Sequence, residues 1–284
     1  MLSPFLCVKG LFKACKINRV VTVNNSVLST NLYPDLSEKQ IEKAHHFLKK
    51  KYPTHLIIFR SLNTYSEETL TRKLTDLRYK MITCRSVYFF DPEKFNAISQ
   101  KKRWIIKKDL CLLDQEGIKV VKHEEFLESD IPQIKKLYDL LYLEKYSRLN
   151  PQFTEIFFKE ALMGATFKLS GIRFKGKLVG VIGYFKEKEI MATPIVGYDT
   201  SLPSSLGLYR MLTALMIKES MESKLLFHMS SGVGHFKRQR GGSQVIESLG
   251  VYMQHLPFYR RLPWYLLSLL FNRIAKNILL KKKL

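Results

Sequence analysis

The chain has 284 residues, 46% of them hydrophobic, and it carries 47 Lys and Arg against 25 Asp and Glu, a net charge of +22. That apolar content can bury a substantial core and excludes disorder, while the length is long for one ordinary domain and short for two full ones. A field of this sign attracts nucleic acid, an anionic membrane surface or phosphorylated substrates and cofactors, although a basic protein can also lack a specific partner.

In chain order, periodicity predicts a strand at RVVTVNNSVL (19–28), a helix at EKQIEKAHHFLKKK (38–51) and a strand at THLIIFRSLN (54–63). A helix at EETLTRKLTDL (67–77) and a strand at KMITCRSVYFF (80–90) follow. A helix is expected over about 124–146, interrupted at Pro132, and a shorter one after Asn150-Pro151. TFKLSGIRFK and KLVGVIGYFK are strands joined at Gly176-Lys177, which is hairpin chemistry, and MATPIVGYD is another strand. After the polar loop SLPSSLG comes an amphipathic helix, LYRMLTALMIKESMES, with Leu208, Met211, Leu212, Leu215 and Met216 on one face. A strand at KLLFHMSS, a helical turn at GHFKRQR and a strand at SQVIESLGVYM (243–253) complete the series. The strand–helix–strand–helix–strand order of the first half repeats that of 190–253, without a glycine-bearing loop before its first helix. An internal duplication accounts for this.

Cys7, Cys15, Cys84 and Cys111 form no CxxC pair and have no nearby His at metal-ligand spacing. They read as reduced structural thiols of a cytoplasmic protein, and no metal is implied. The start, MLSPFLCVKG, lacks a signal-peptide pattern, and no segment reaches the ~20 apolar residues of a membrane span.

Two places can carry chemistry. In TPIVGYDTSLPSSLGLYRML (193–212) a strand ends, a Ser/Gly loop follows and a helix opens. Backbone N–H groups at a helix N-terminus bind anions, and small residues let a phosphate approach them. The plainer reading is a capped helix start, with Ser204 or Ser205 as the cap. It is neither a Walker loop nor a Rossmann fingerprint. In SSGVGHFKRQRGG (230–242), Lys237, Arg238 and Arg240 lie on one short turn between glycines. They either meet an anionic group on a ligand or form a solvated basic turn, with Phe236 filling core.

The helix–hairpin–strand–loop–helix–strand–turn–strand order of 124–253 resembles the GNAT acyltransferase fold. In that fold the loop after the fourth strand holds the pyrophosphate of acyl-CoA through a (Gln/Arg)-x-x-Gly-x-(Gly/Ala) motif. SSLGLY (204–209) takes that place; Gly207 matches the first glycine, and Ser204 and Tyr209 depart from the outer positions. Over the whole chain, a truncated first copy before a full one is similar to the double-GNAT arrangement of Fem-type aminoacyltransferases and their BioF2-like and lipid-aminoacylating relatives. Their aromatic-Lys pair after the fifth strand is matched by Phe236-Lys237. The resemblance implies an α/β, GNAT-like fold with a truncated half at 1–108, a catalytic domain at 109–256 and a basic tail at 257–284. It places the donor, acyl-CoA or acetyl-CoA, on Ser205, Leu206, Gly207, Leu208 and Tyr209. The segment 141–153 would reach over the acceptor, making Lys145, Tyr146, Ser147 and Asn150 contacts there, unless it is only a capped Asn-Pro helix start.

Acyl transfer needs a neutral nucleophile and a polarised carbonyl. Asp199, beside the loop, and Glu247, a carboxylate inside the apolar strand VIESLGVY, are candidate bases. Glu247 is equally a structural ion-pair partner of Arg240 or Lys237, because a buried carboxylate is costly alone. Tyr198 and Tyr252 are candidate acids, and His235 is a lone histidine of the structural kind. The tail, PFYRRLPWYLLSLLFNRIAKNILLKKKL, has seven basic and no acidic residues, with Trp264, Tyr265, Leu267, Leu270, Phe271, Ile274 and Ile278 as its apolar face. It is either an interfacial helix on anionic lipid or a helix packed on the body.

The combined expectation is a cytoplasmic acyltransferase moving an acyl group from acyl-CoA to an amine or hydroxyl of an acceptor these residues do not identify, with a lipid-linked acceptor and a peripheral place on the membrane among the options. The alternatives are an aminoacyl-tRNA donor, which lacks a long charged helical hairpin to support it, and a non-catalytic basic module docking on membrane or nucleic acid. No protein partner is indicated.

Overall fold

A computed structural model describes residues 10–25 and 28–282, and Cys7 and residues 26–27 of the expected first strand lie outside them. The first half runs β1 (Val20–Val23), α1 (Glu38–Lys51), β2 (Leu56–Leu62), α2 (Glu68–Asp76) and β3 (Lys80–Phe90). Ser37 and Gln40 close a reciprocal capping box at the start of α1. A helix absent from the sequence reading, α3 (Gln100–Leu110), leads to a short strand, β4 (Ile118–Val121), also absent from it.

After β4, within the second half, comes α4 (Ile131–Asp139), which continues as a π-helical segment, Leu140–Tyr146. Pro132 stands in the first turn of α4, so it starts this helix rather than interrupting a longer one. Then come α5 (Glu155–Met163), β5 (Lys168–Phe174), β6 (Lys177–Glu187), β7 (Ile190–Tyr198), α6 (Leu208–Ser223), β8 (Leu226–His228), α7 (Gly234–Gln239) and β9 (Ser243–Tyr252). The hairpin between β5 and β6 turns on Lys175 and Gly176, both at positive φ, which suits the strand twist.

Among the described residues, nine strands form one sheet in the order β1-β2-β9-β3-β8-β7-β6-β5-β4. β1 and β2 are parallel, as are β7 and β8, and the strand that closes each pair comes from the other half. β9 lies antiparallel to β2, and β3 lies antiparallel to β8. The strands of the two expected halves therefore share one sheet, in which β3 and β9 are paired in its interior. Helices cover both faces. Met211, Leu212 and Met216 of α6 pack over one side of the second half, and Ile134, Leu137 and Phe158 over the other.

The tail forms α8 (Phe258–Leu270), a π-helical segment, Phe271–Ala275, and α9 (Lys276–Lys282). Trp264, Tyr265 and Phe271, expected on one outward face, pack against Leu56, Ile58, Ile82 and Val251. Asn272 accepts from the Thr83 amide at 2.8 Å and donates to the Met81 carbonyl at 2.8 Å, satisfying backbone groups beside the β3 bulge.

Where the two halves meet, Arg85 of β3 faces Glu247 of β9 in register and donates to it through Nε at 2.6 Å and Nη2 at 3.2 Å. The expected partners of Glu247, Arg240 or Lys237, are replaced by this cross-strand one. Glu247→Ala leaves the guanidinium without its carboxylate, and removing one partner of a buried pair costs about 3–5 kcal/mol. Chemical denaturation should show a loss toward the lower end of that range, since Arg85 keeps partial access to solvent.

Candidate active site

β7 ends at Tyr198, and the loop after it makes a single 3₁₀ turn, Ser204–Leu206, before Gly207. Gly207 has φ 78° and precedes α6, a helix that no side chain caps. Ser204 and Ser205 thus do not act as caps, and the first-turn amides of Leu208, Tyr209 and Arg210 have no acceptor within the helix. A cavity of about 180 Å³ opens there, lined by Lys145, Tyr198, Asp199, Ser204, Gly207 and Arg210, among others. Ser205 is exposed, while the Leu206 and Leu208 side chains turn into the core, so these positions offer backbone to a ligand.

Lys145 sits over the Tyr198 ring and donates to its hydroxyl at 3.3 Å. Asp199 accepts from the Ser201 hydroxyl at 2.6 Å and its amide at 3.0 Å. The Ser201 hydrogen bonds hold the Asp199 carboxyl below the usual range, which makes it a poor proton acceptor and a good loop organiser.

Tyr209 lines this cavity and also a second one of about 380 Å³. The second is walled by Arg85, Tyr142, Tyr146, Asn150, Val233 and Lys237, among others. Its rim, residues 230–233, is held in an unusual conformation: Ser230, Gly232 and Val233 have φ of 61°, 77° and 43°. A β-branched residue in the left-handed region is strained, and such strain gathers at functional sites. Gly234 follows because a Cβ there would stand 2.1 Å from the Tyr88 hydroxyl.

Lys237 is 3% exposed, and its Nζ donates to the carbonyls of Ser230 at 3.2 Å and Ser231 at 2.6 Å. Burial, aided by the charge of Arg85, pushes its pKa down to about 7. The other two cations of the turn go elsewhere. Arg238 donates to the Tyr88 hydroxyl at 2.9 Å. Arg240 is buried, donates to Asp109 at 2.5 Å and lies over the Phe236 ring at 3.4 Å. Asp109, 1% exposed at the end of α3, also accepts from Arg210 at 2.7 Å. Phe236 meets Tyr209 with ring centroids 4.9 Å apart, so the Asp109 pairs brace the wall between the two cavities.

The expected site residues therefore divide. Lys145, Tyr198, Asp199 and Gly207 gather at the first cavity, and Tyr146, Asn150 and Lys237 at the second. The Asn150 side chain donates to the Tyr142 carbonyl at 2.9 Å, and Ser147 turns toward Leu149. His235 is exposed at a third cavity beside Arg85, Phe236 and Arg238. Tyr252 is in the first half's core against His45 and Tyr79, away from both cavities. Glu247 and Arg240 are buried in ion pairs and do not serve as ligand contacts. The sequence reading missed Arg85, Asp109 and Tyr142. Arg85, a cation within an otherwise apolar strand, carried the same signal that singled out Glu247.

The two basic residues should respond oppositely to removal. Arg240→Ala strands the Asp109 carboxylate beside one remaining guanidinium and should lower unfolding free energy by about 3 kcal/mol. Lys237→Met should raise stability at pH 6, where the folded protein must hold a buried ammonium. Its folded pKa of about 7 lies below the ordinary lysine value of 10.5, so the penalty is complete below 7 and is relieved as pH rises toward 10.5. The advantage of Lys237→Met in thermal melts should shrink across that window.

The sequence matches no family model and no curated protein sequence. Solved structures do match. One is the C-terminal domain of a protein assigned as a lysylphosphatidylglycerol synthetase from Agrobacterium fabrum, with TM-score 0.59 and 11% identity over 84% of this chain and 80% of that one. L-PGS from Bacillus licheniformis matches with TM-score 0.59 and 15% identity over 83% and 78%. FemX matches with TM-score 0.57 and 8% identity over 79% of each chain. At such identities the likeness is one of fold, and the chain has the GNAT-like α/β architecture shared by the Fem-type proteins.

Proposed function

We propose that the protein is an acyltransferase that moves an acyl group, acetyl foremost, from acyl-CoA to an amine or hydroxyl of a lipid-linked acceptor. The observation that carries this is the placement of an uncapped helix start and a buried Lys237 on two sides of Tyr209. The donor pyrophosphate would lie against the first-turn amides of α6, with Lys145 and Arg210 adding positive charge. The acyl carbon would reach past Tyr209 into the larger cavity, where Asn150 and Tyr146 face the acceptor. A lipid-linked acceptor accords with the name of one fold relative, which describes a lysylated phospholipid.

Lys237 supplies the proton acceptor. A neutral amine has two N–H bonds and one lone pair; the Ser230 and Ser231 carbonyls take the two hydrogens, leaving the lone pair for the cavity. As the acceptor nitrogen or oxygen attacks the acyl carbon, its proton passes to Lys237. The carbon–sulfur bond breaks, and the thiolate leaves and regains a proton. A base with a pKa of about 7 is half neutral near physiological pH, which is where a general base works best.

A second reading keeps the site and takes aminoacyl-tRNA as donor, with an ester carbon–oxygen bond breaking instead. The fold match to FemX and the +22 charge favour it. Calorimetry with acetyl-CoA, longer acyl-CoAs and charged tRNA separates the two. Acyl-CoA binding that Gly207→Val abolishes supports the first, and heat only with charged tRNA supports the second. Gly207→Val is strained by its left-handed φ and by Leu112, 3.0 Å from the added Cβ, so its fold is checked by circular dichroism.

Turnover should rise with pH through about 7 and level off above it, as Lys237 loses its proton. Lys237→Arg keeps the charge but cannot accept a proton, so kcat should fall by roughly 10²-fold or more. If Lys237→Arg retains activity, the side chain serves as a point charge for an anionic ligand instead.

A further inference from the structure

We infer that the outward face of the C-terminal helices docks on an anionic lipid surface as a rigid, pre-formed strip. This stands on the tail alone and holds whichever donor the active site uses. The inner side of the tail is pinned to the body. Arg260 is 3% exposed, and its guanidinium donates to the carbonyls of Cys15 at 3.0 Å, Thr54 at 2.6 Å and Lys16 at 3.1 Å. Ser268 is buried, Asn272 is bound to the β3 backbone, and Gln244 of β9 donates to the Leu279 carbonyl at 3.0 Å. The helix axis and its rotation are fixed by these contacts.

What points outward is apolar. Tyr259, Leu262, Leu266 and Leu269, spaced by three and four residues, lie on one stripe and are 53%, 40%, 53% and 51% exposed. Leu270 and Ile274 extend it at 49% and 55%. A stripe of this kind on a soluble surface marks a contact site.

Charge selects the occupant. Residues 257–284 contain seven cations and no acid, and with Arg260 buried and Arg261 half-buried against Gln254, the exposed Arg273, Lys276 and Lys281 remain on the outer part of the tail. A second copy of this chain would bring these like charges together across a self-complementary contact, which opposes dimerisation. A bilayer bearing acidic headgroups satisfies both features, since it takes leucines into its interface and cations at its surface. Among the described residues no helix is long and apolar enough to cross a membrane, so this one would lie in the interface plane.

The test is co-sedimentation of the full chain with phosphatidylcholine vesicles, with and without phosphatidylglycerol. Binding should require the anionic lipid and weaken as salt shortens the Debye length below ~8 Å. The double variant L266E/L269E changes two exposed positions, so its melting temperature should hold while vesicle binding falls at least tenfold. Equal binding to neutral vesicles, or unchanged binding by the variant, overturns the proposal. So does a lower melting temperature of the variant, which would mean that the chain itself covers the stripe. Light scattering that shows a wild-type dimer split by L266E/L269E assigns the face to a second copy and overturns it as well.

Discussion

The structure depends on the antiparallel pairing of β3 with β9 and on the Arg85–Glu247 ion pair that ties them. Each half makes a parallel strand pair and then sends its last strand to the other half, so the two halves complete one another's sheet. Glu247 is buried and Arg85 is mostly covered. Two charges removed from water at that position are tolerable only together. The pair fixes register as well, because a one-residue shift of β9 against β3 would put Glu247 on the opposite face from Arg85 and leave each charge alone.

The same exchange explains the glycine-framed basic turn. β8 and β9 flank β3 on its two sides, so the chain between them must cross over β3, and α7 is that crossover. The close passage over Tyr88 leaves no room for a side chain at Gly234, and Gly241 turns at φ 85° against Phe90 and Ile98. Crossing at this point also puts Lys237 next to Arg85 and next to the cavity that Tyr209 walls off. A strand exchange made for packing reasons thereby assembles a site from residues about 150 positions apart.

Local patterns were enough to recognise most of this. Alternation and 3.6-residue spacing marked eight of the nine strands and most helices, and glycines marked the turn at 230–242 as special. The destination of β9 was not legible, because strand–helix–strand alternation says nothing about which distant strand becomes a neighbour. Glu247 declared itself as a carboxylate in an apolar strand, yet its partner lies 162 residues away. α3 was missed because QKKRWIIKKDL is largely charged and only Ile106 and Asp109 are buried on it. That one buried carboxylate nevertheless receives two arginines. Helical spacing identified the tail as amphipathic, but rotation about its axis is set by Arg260 and Asn272, which bind backbone that periodicity cannot see.

The distribution of acids among the basic residues gives the site its chemistry. Glu247 takes Arg85, and Asp109 takes Arg210 and Arg240. Among the described residues Lys237 has no carboxylate within ion-pair distance, and its Nζ is held by two carbonyls and lies over the Tyr88 ring at 5.8 Å. Burial then acts on it without a compensating charge, and a neighbouring guanidinium adds repulsion, so the ammonium is the unfavourable form. Arginine could not take this place, since a guanidinium does not give up its proton at any pH a protein meets. The arginines therefore serve the fold with constant charge. The one buried lysine of the turn is left with a charge that can change, as the proposed transfer of a proton from an amine or hydroxyl requires.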